Sequence, residues 1–159
     1  MGSSEDKFKR YIYVIVPVEV MLGLAYLVVC FIAIINWYLG IIGAGEILYP
    51  NYVPGDLGVS LVMLSIGFLM ILSVYYWFRR KIVKSLAAII LGLGLAVAAM
   101  VMQVLVTTAS WLDSIIVNEP ITYEELMLGF LRADALLGYI ALPLLYVSLR
   151  ILKKTIITQ

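Results

Sequence analysis

The sequence contains no histidine and only one cysteine, and each shortage excludes a class of chemistry. Without histidine the chain cannot ligate haem through imidazole or build a histidine-bearing zinc or copper site, and it lacks the commonest general base. Cys30 alone cannot form an intrachain disulfide and has no resolving partner for thiol chemistry. The sequence also has no phosphate-binding loop, nucleophile elbow or EF-hand spacing. We therefore expect no catalytic residues, no metal site and no cofactor.

Charged residues are scarce as well, at 13% of the chain, whereas 64% of its residues are hydrophobic. Soluble domains usually carry roughly 25% charged and 45 to 50% apolar residues. A lipid bilayer is therefore the expected surroundings of most of this surface. The net charge is only +1, and the basic residues cluster at the ends of apolar segments, so charge indicates orientation in a membrane. We expect lipid and other membrane subunits as partners, and no nucleic acid.

Four apolar segments are long enough to cross a hydrocarbon core of about 30 Å, which takes around 20 helical residues. They are residues 11–43, 57–78, 85–117 and 122–154. The first is too long for a signal peptide and is interpreted as a retained anchor. The sequence thus predicts an all-α membrane protein with a single transmembrane domain, residues 1–159, folded as an antiparallel bundle of four helices.

The loops predict how this bundle is oriented. Basic residues lie before the first segment, between the second and third, and at the end of the fourth, while residues 44–56 and 118–121 contain none. By the positive-inside rule both termini are cytoplasmic in a multi-pass protein of the cell membrane. The absence of histidine, the few asparagines and glutamines and the many isoleucines are compatible with a thermophile, and we expect a prokaryotic source.

The fourth segment has two unusual features. Thr122 and Glu125 have the spacing of a capping box, so the helix is predicted to begin outside the membrane. Further along, Arg132 and Asp134 are charged residues within an apolar run, which is a reason to suspect function. Two residues apart, they lie about 200° around a helix, so we predict that they do not pair with each other. Arg132 either extends outward to Glu125, Asp113 or lipid phosphate, or lies in an outer cavity lined by protein.

Other polar residues are predicted at a similar depth, in the outer third of the bundle. If these side chains converge they form a shallow pocket or a docking site for a partner's helices, and if they diverge they form an ordinary wet interface. The candidates are Asn36, Gln103, Asp113, Arg132, Asp134 and Tyr139.

Glu19 is the polar candidate near the inner boundary. It is expected to pair with a basic side chain such as Lys84 or Arg150, or to be a carboxyl group that carries a proton. Between it and the outer acids the sequence offers only Tyr26 and scattered serines, which is an incomplete relay.

Small residues recur at helical spacing and predict where helices approach closely. Such positions serve either packing within the chain or contact with another subunit. The main ones are Ala88, Gly92 and Ala96 in the third segment, and Gly129 and Ala133 in the fourth.

Two main functions remain open. The first is a non-catalytic accessory subunit of a larger multi-subunit membrane complex, contributing helix packing and assembly. The alternative is a small oligomeric channel or transporter for ions or protons, with Glu19, Arg132 and Asp134 along its path. A membrane-embedded enzyme or lipid carrier is a third reading, for which the sequence offers no chemistry.

Overall fold

A computed structural model of the chain describes residues 4–44, 48–118 and 122–157, and the side chains of 16–44, 48–118 and 122–153. The described part is helical, with no strand. Its five helices are α1 (Ser4–Ile41), α2 (Leu57–Phe78), α3 (Ile82–Val117), α4 (Tyr123–Phe130) and α5 (Ala133–Ile157).

Four of these helices are long and apolar enough to cross a membrane, as predicted. The spans are Val16–Ile41, Leu57–Phe78, Ile82–Val117 and Ala133–Lys153. The chain is therefore treated below as a multi-pass membrane protein. The predicted outer turn at 118–121 lies mostly outside the described residues, which resume at Thr122.

The helix ends are set by local chemistry. The Asp56 side chain accepts a hydrogen bond from the backbone N–H of Val59 at 2.8 Å, which caps the start of α2. Asn118 ends α3 in the left-handed region at φ 65°, a conformation that asparagine tolerates better than most residues. The capping box predicted from Thr122 and Glu125 is confirmed at the start of α4.

Each long helix packs mainly on one or two neighbours: α2 lies against α1 and α3, α3 lies against α5, and α1 touches α5 over a smaller area. Glycines permit close approach at these contacts. A Cβ atom on Gly67 would lie 2.9 Å from the backbone oxygen of Gly23, and one on Gly92 would lie 3.3 Å from Met70. The core between the helices contains these fully buried apolar side chains: Tyr26, Cys30, Ala33, Ile66, Met70, Leu93, Ala96, Ala135 and Ala141.

The fourth predicted helix is not continuous, which corrects the expectation of one helix over 122–154. α4 ends at Phe130 and α5 begins at Ala133, so Leu131 and Arg132 form a break. An unbroken helix would join the N–H of Ala133 to the carbonyl of Gly129. Here the Ala133 N–H donates instead to the carbonyl of Tyr52, at 3.0 Å.

Candidate functional site

The break between α4 and α5 is stabilised by other parts of the chain. The Gly129 carbonyl, which loses its helical donor, accepts a hydrogen bond from Nε2 of Gln103 at 3.2 Å. The Ala133 N–H, which would donate to the Gly129 carbonyl in an unbroken helix, donates to the Tyr52 carbonyl. Both halves of the missing helical bond are therefore satisfied, as buried backbone groups require. The sequence shows no proline at the break, so the break results from tertiary contacts.

Arg132 and Asp134 form a salt bridge across this break, with 3.2 Å between Nη2 and Oδ2. The prediction that they do not pair was wrong, because it assumed helical geometry through Leu131 and Arg132. Asp134 is nearly buried, at 8% side-chain exposure, and its second oxygen accepts the N–H of Ala135 at 3.0 Å. Arg132 is 24% exposed, and its Nε is buried without a partner.

Asn36 is fully buried and binds the connection between α1 and α2. Its Nδ2 donates to the carbonyls of Leu48 at 2.7 Å and Val53 at 3.0 Å, and its Oδ1 accepts the Leu48 N–H at 3.1 Å. Since the adjacent Tyr52 carbonyl accepts from Ala133, residues 48–53 connect α1 to the start of α5. Asn36 therefore fixes the structure that supports the break.

The remaining outer candidates divide into two groups. Gln103 is buried and ties α3 to the end of α4, and its neighbour Thr107 lies against Gly129. Asp113 and Tyr139, in contrast, are exposed on helix surfaces. The structure thus brings together four of the six predicted outer residues around the strap 48–53 and the break, namely Asn36, Gln103, Arg132 and Asp134. It leaves the other two outside.

Glu19 lies in the bundle interior with no exposure. Its Oε2 is 3.4 Å from the hydroxyl of Ser73 on α2, and its Oε1 has no hydrogen-bond partner. The basic residues proposed as its partners, Lys84 and Arg150, are exposed, and the structure describes no ion pair between either of them and Glu19. Glu19 is therefore an interior carboxyl group beside a hydroxyl.

Four of the five predicted small-residue positions are buried or lie against a neighbouring helix. Ala88, Gly92 and Ala96 of α3 are buried, and a Cβ on Gly129 would lie 2.7 Å from a methyl group of Thr107. Ala133 is half-buried at the start of α5. Gly138 is a close contact that the sequence reading did not single out, since a Cβ there would overlap Met100.

Two buried hydroxyl residues were also missed. Ser73 and Ser148 are each 1% exposed, and the Ser148 hydroxyl has no partner. A serine in an apolar helix gives no signal of its own, because it can bond to its own backbone, as Ser65 does at 2.9 Å to the carbonyl of Leu61. Only knowledge of which helix faces meet could have placed Ser73 beside Glu19 and Ser148 in the interior.

The described residues contain no group of three or more acidic, cysteine or histidine side chains able to hold a metal ion. Comparisons of the chain with protein-family models, with curated proteins and with solved structures found no match. The functional argument therefore rests on the geometry of the chain itself.

Proposed function

We propose that this protein is a non-catalytic integral subunit of a larger membrane complex, in which it contributes helix packing and assembly. In this proposal the four spans run antiparallel, both termini are cytoplasmic, and the outer connections lie on the opposite side of the cell membrane. The observation that supports it most is that the outer polar residues are bonded to other groups of this chain. Asn36, Gln103 and the Arg132–Asp134 pair are all engaged within the chain, where they hold the outer strap and the break.

An exposed face of α3 supports contact with a partner. Gly94 is half-buried, but a Cβ atom there would meet nothing within 4 Å, and Ala98 one turn further is exposed. Gly23, Gly67, Gly92, Gly129 and Gly138 all lie against neighbouring helices. Small residues four apart on an exposed transmembrane face allow a second helix to approach closely. The Gly94–Ala98 face is therefore our proposed contact with another subunit.

Co-purification from native membranes in mild detergent tests this proposal. The wild-type chain is expected to carry other membrane subunits with it, and Gly94→Leu is expected to lose them while remaining folded. The control is Val106→Leu, because Val106 is exposed on another face of the same helix. Wild-type protein that purifies alone as a stable monomer, or partners that survive Gly94→Leu, would contradict the proposal.

The orientation can be tested by cysteine labelling, because the single native cysteine, Cys30, is buried and should not react with the reagent. A maleimide that cannot cross the membrane should label Asn51→Cys from outside intact cells. It should label Lys81→Cys only after the cells are opened, because Lys81 lies in the turn between α2 and α3. Labelling of both positions from the same side would exclude the proposed topology.

The channel or transporter hypothesis retains one supporting observation, which is that Glu19 faces the bundle interior. Its test is ion flux in vesicles that contain the purified protein. Proton or sodium flux that Glu19→Gln abolishes would favour a channel over an accessory subunit.

A further inference from the structure

Among the described residues, the interior of the bundle contains three polar side-chain atoms that are buried without a partner. They are Oε1 of Glu19, the hydroxyl of Tyr26 and the hydroxyl of Ser148, and none of the three residues is more than 1% exposed. In a membrane span such groups are costly, because lipid supplies no hydrogen bonds. Two of them lie at the same level of the bundle.

Helix contacts establish the level of Ser148. Gly138 of α5 lies against Met100 and Ala96 of α3, while the preceding Gly129 lies against Thr107. Residue numbers therefore fall along α3 as they rise along α4 and α5. Ser148 is about three turns beyond Gly138, so it comes level with Ala88.

Glu19 reaches the same level by a separate route. Its partner Ser73 is one turn from Met70, and Met70 packs on Gly92. A short turn joins α2 to α3, so residue numbers fall along α3 as they rise along α2. One turn from Met70 to Ser73 on α2 therefore corresponds to one turn from Gly92 to Ile89 on α3. Glu19 and Ser148 therefore lie at the same level of the bundle, on helices α1 and α5, which are in contact.

The hydroxyl of Ser73 indicates which oxygen carries the proton. It is 2.7 Å from the carbonyl of Met70 and 3.4 Å from Oε2 of Glu19. A hydroxyl group has one hydrogen to donate, and the shorter contact is to a group that can only accept. The contact with Glu19 is then satisfied when Oε2 of the carboxyl group carries the proton and donates it to the Ser73 oxygen.

Among the side chains that the structure describes, no basic group on the neighbouring helices forms an ion pair with Glu19. Arg79 at the end of α2, Lys84 on α3, and Arg150 and Lys153 on α5 are all exposed. On α1 itself, Tyr26 is a neutral side chain about two turns away. An ionised carboxylate without a counter-ion is among the most expensive groups in a membrane interior.

We propose that Glu19, Ser73 and Ser148 form an interior proton-binding site, in which Glu19 is a neutral carboxylic acid. One water molecule between Oε1 of Glu19 and the Ser148 hydroxyl would satisfy both atoms. Proton binding forms an O–H bond on the carboxylate, and the hydronium ion that donates the proton becomes water. This site is independent of the proposed partner contact at Gly94.

Infrared difference spectroscopy of the full chain in lipid vesicles tests the site. The wild type is expected to show the carbonyl stretch of a protonated carboxyl group, which shifts in heavy water and is lost in Glu19→Gln. Ser148→Ala is expected to move this band to higher frequency, because the acid loses hydrogen bonding. Tyr26→Phe, which removes the third unpartnered hydroxyl, and Ser65→Ala, on an exposed face, should leave the band where it is.

Labelling with dicyclohexylcarbodiimide gives an independent reading, because this apolar reagent reacts with protonated carboxyl groups in membranes. An adduct at Glu19 is expected, with loss of labelling in Glu19→Gln and retention in Asp113→Asn. If the band is absent and sodium ions block labelling, the site binds a metal cation and the proposal is wrong. A band unchanged by Ser148→Ala would also overturn it, since Ser148 would then not share the site.

Discussion

The backbone N–H of Ala133 donates to the carbonyl of Tyr52 at 3.0 Å, so the last span begins on the connection between the first two. Asn36 holds the same connection through Val53, the next residue along. One short strap, residues 48–53, thus binds the end of α1 and the start of α5, two helices that share only a small contact along their lengths. The stability of this end of the bundle should depend on the few polar groups that maintain the arrangement.

Gln103→Leu should destabilise the break. The substitution removes the donor to the Gly129 carbonyl, which has no helical partner, and leaves it unsatisfied. We expect a loss of about 1–3 kcal/mol in the free energy of unfolding, the usual cost of a buried unpaired polar group. Thermal unfolding in detergent measures this, and amide exchange at residues 129–133 should accelerate.

The matched control for Gln103→Leu is Thr108→Val. Thr108 is on the same helix, and its hydroxyl bonds only to the carbonyl of Val104 on its own helix, at 2.7 Å. This change should be nearly neutral. If Gln103→Leu were as stable as the wild type, the hydrogen bond from Gln103 to the Gly129 carbonyl would contribute nothing to the free energy of unfolding.

Asp134→Asn should cost more than the loss of one surface ion pair. Arg132 would keep its charge in a partly buried place with no carboxylate beside it, and Asp134 is itself nearly buried. We expect a loss of about 1–3 kcal/mol, below the 3–5 kcal/mol typical of fully buried pairs because Arg132 retains some contact with solvent.

A double-mutant cycle with Arg132→Gln identifies the origin of this loss. If the two residues interact, the double variant is more stable than the sum of the single effects predicts. Asp113→Asn, an exposed acid at a similar predicted depth, is the control and should change stability little. Additive single effects would show that the 3.2 Å contact between Arg132 and Asp134 contributes nothing to the free energy of unfolding.

Sequence reasoning predicted the four spans and the capping box, because long apolar runs and the Thr122–Glu125 spacing are local signals. It failed at Leu131 and Arg132, where no proline or glycine pair marks the break. The partner that ends the helix, the Tyr52 carbonyl, is eighty residues away in the chain, and backbone carbonyls leave no trace in a sequence. The incorrect separation of Arg132 from Asp134 followed from that single assumption.

The same limit applies to Glu19. Its position on an apolar helix indicated a special residue, but the partner expected from charge was a lysine or arginine. The structure places it beside Ser73 instead. Which faces of two apolar helices meet is decided by packing over small residues such as Gly23 and Gly67, and that signal is too common to fix a register.

Asn36→Ala should release the strap formed by residues 48–53. Three hydrogen bonds at 2.7, 3.0 and 3.1 Å are lost, and the Val53 carbonyl becomes a buried group without this donor. We expect a loss of about 1–3 kcal/mol in unfolding free energy. Amide exchange and protease cleavage at residues 48–53 should increase. Asn51→Ala, in the exposed part of the same connection, is the control. Cleavage rates that match between the two variants would contradict the anchoring role.

Gly138→Ala should separate α3 from α5. The added methyl group would overlap the Cβ atom of Met100 and lie 3.0 Å from the carbonyl of Ala96, so neither contact can be relieved by turning the end of a side chain. We expect a loss of about 1–3 kcal/mol, as for other overpacked cores. Gly94→Ala on α3 is the matched control, because a methyl group there meets nothing within 4 Å. That change should be neutral or slightly stabilising, since alanine favours the helix. If thermal unfolding in detergent shows the two variants equally stable, α3 and α5 are not in close contact at Gly138.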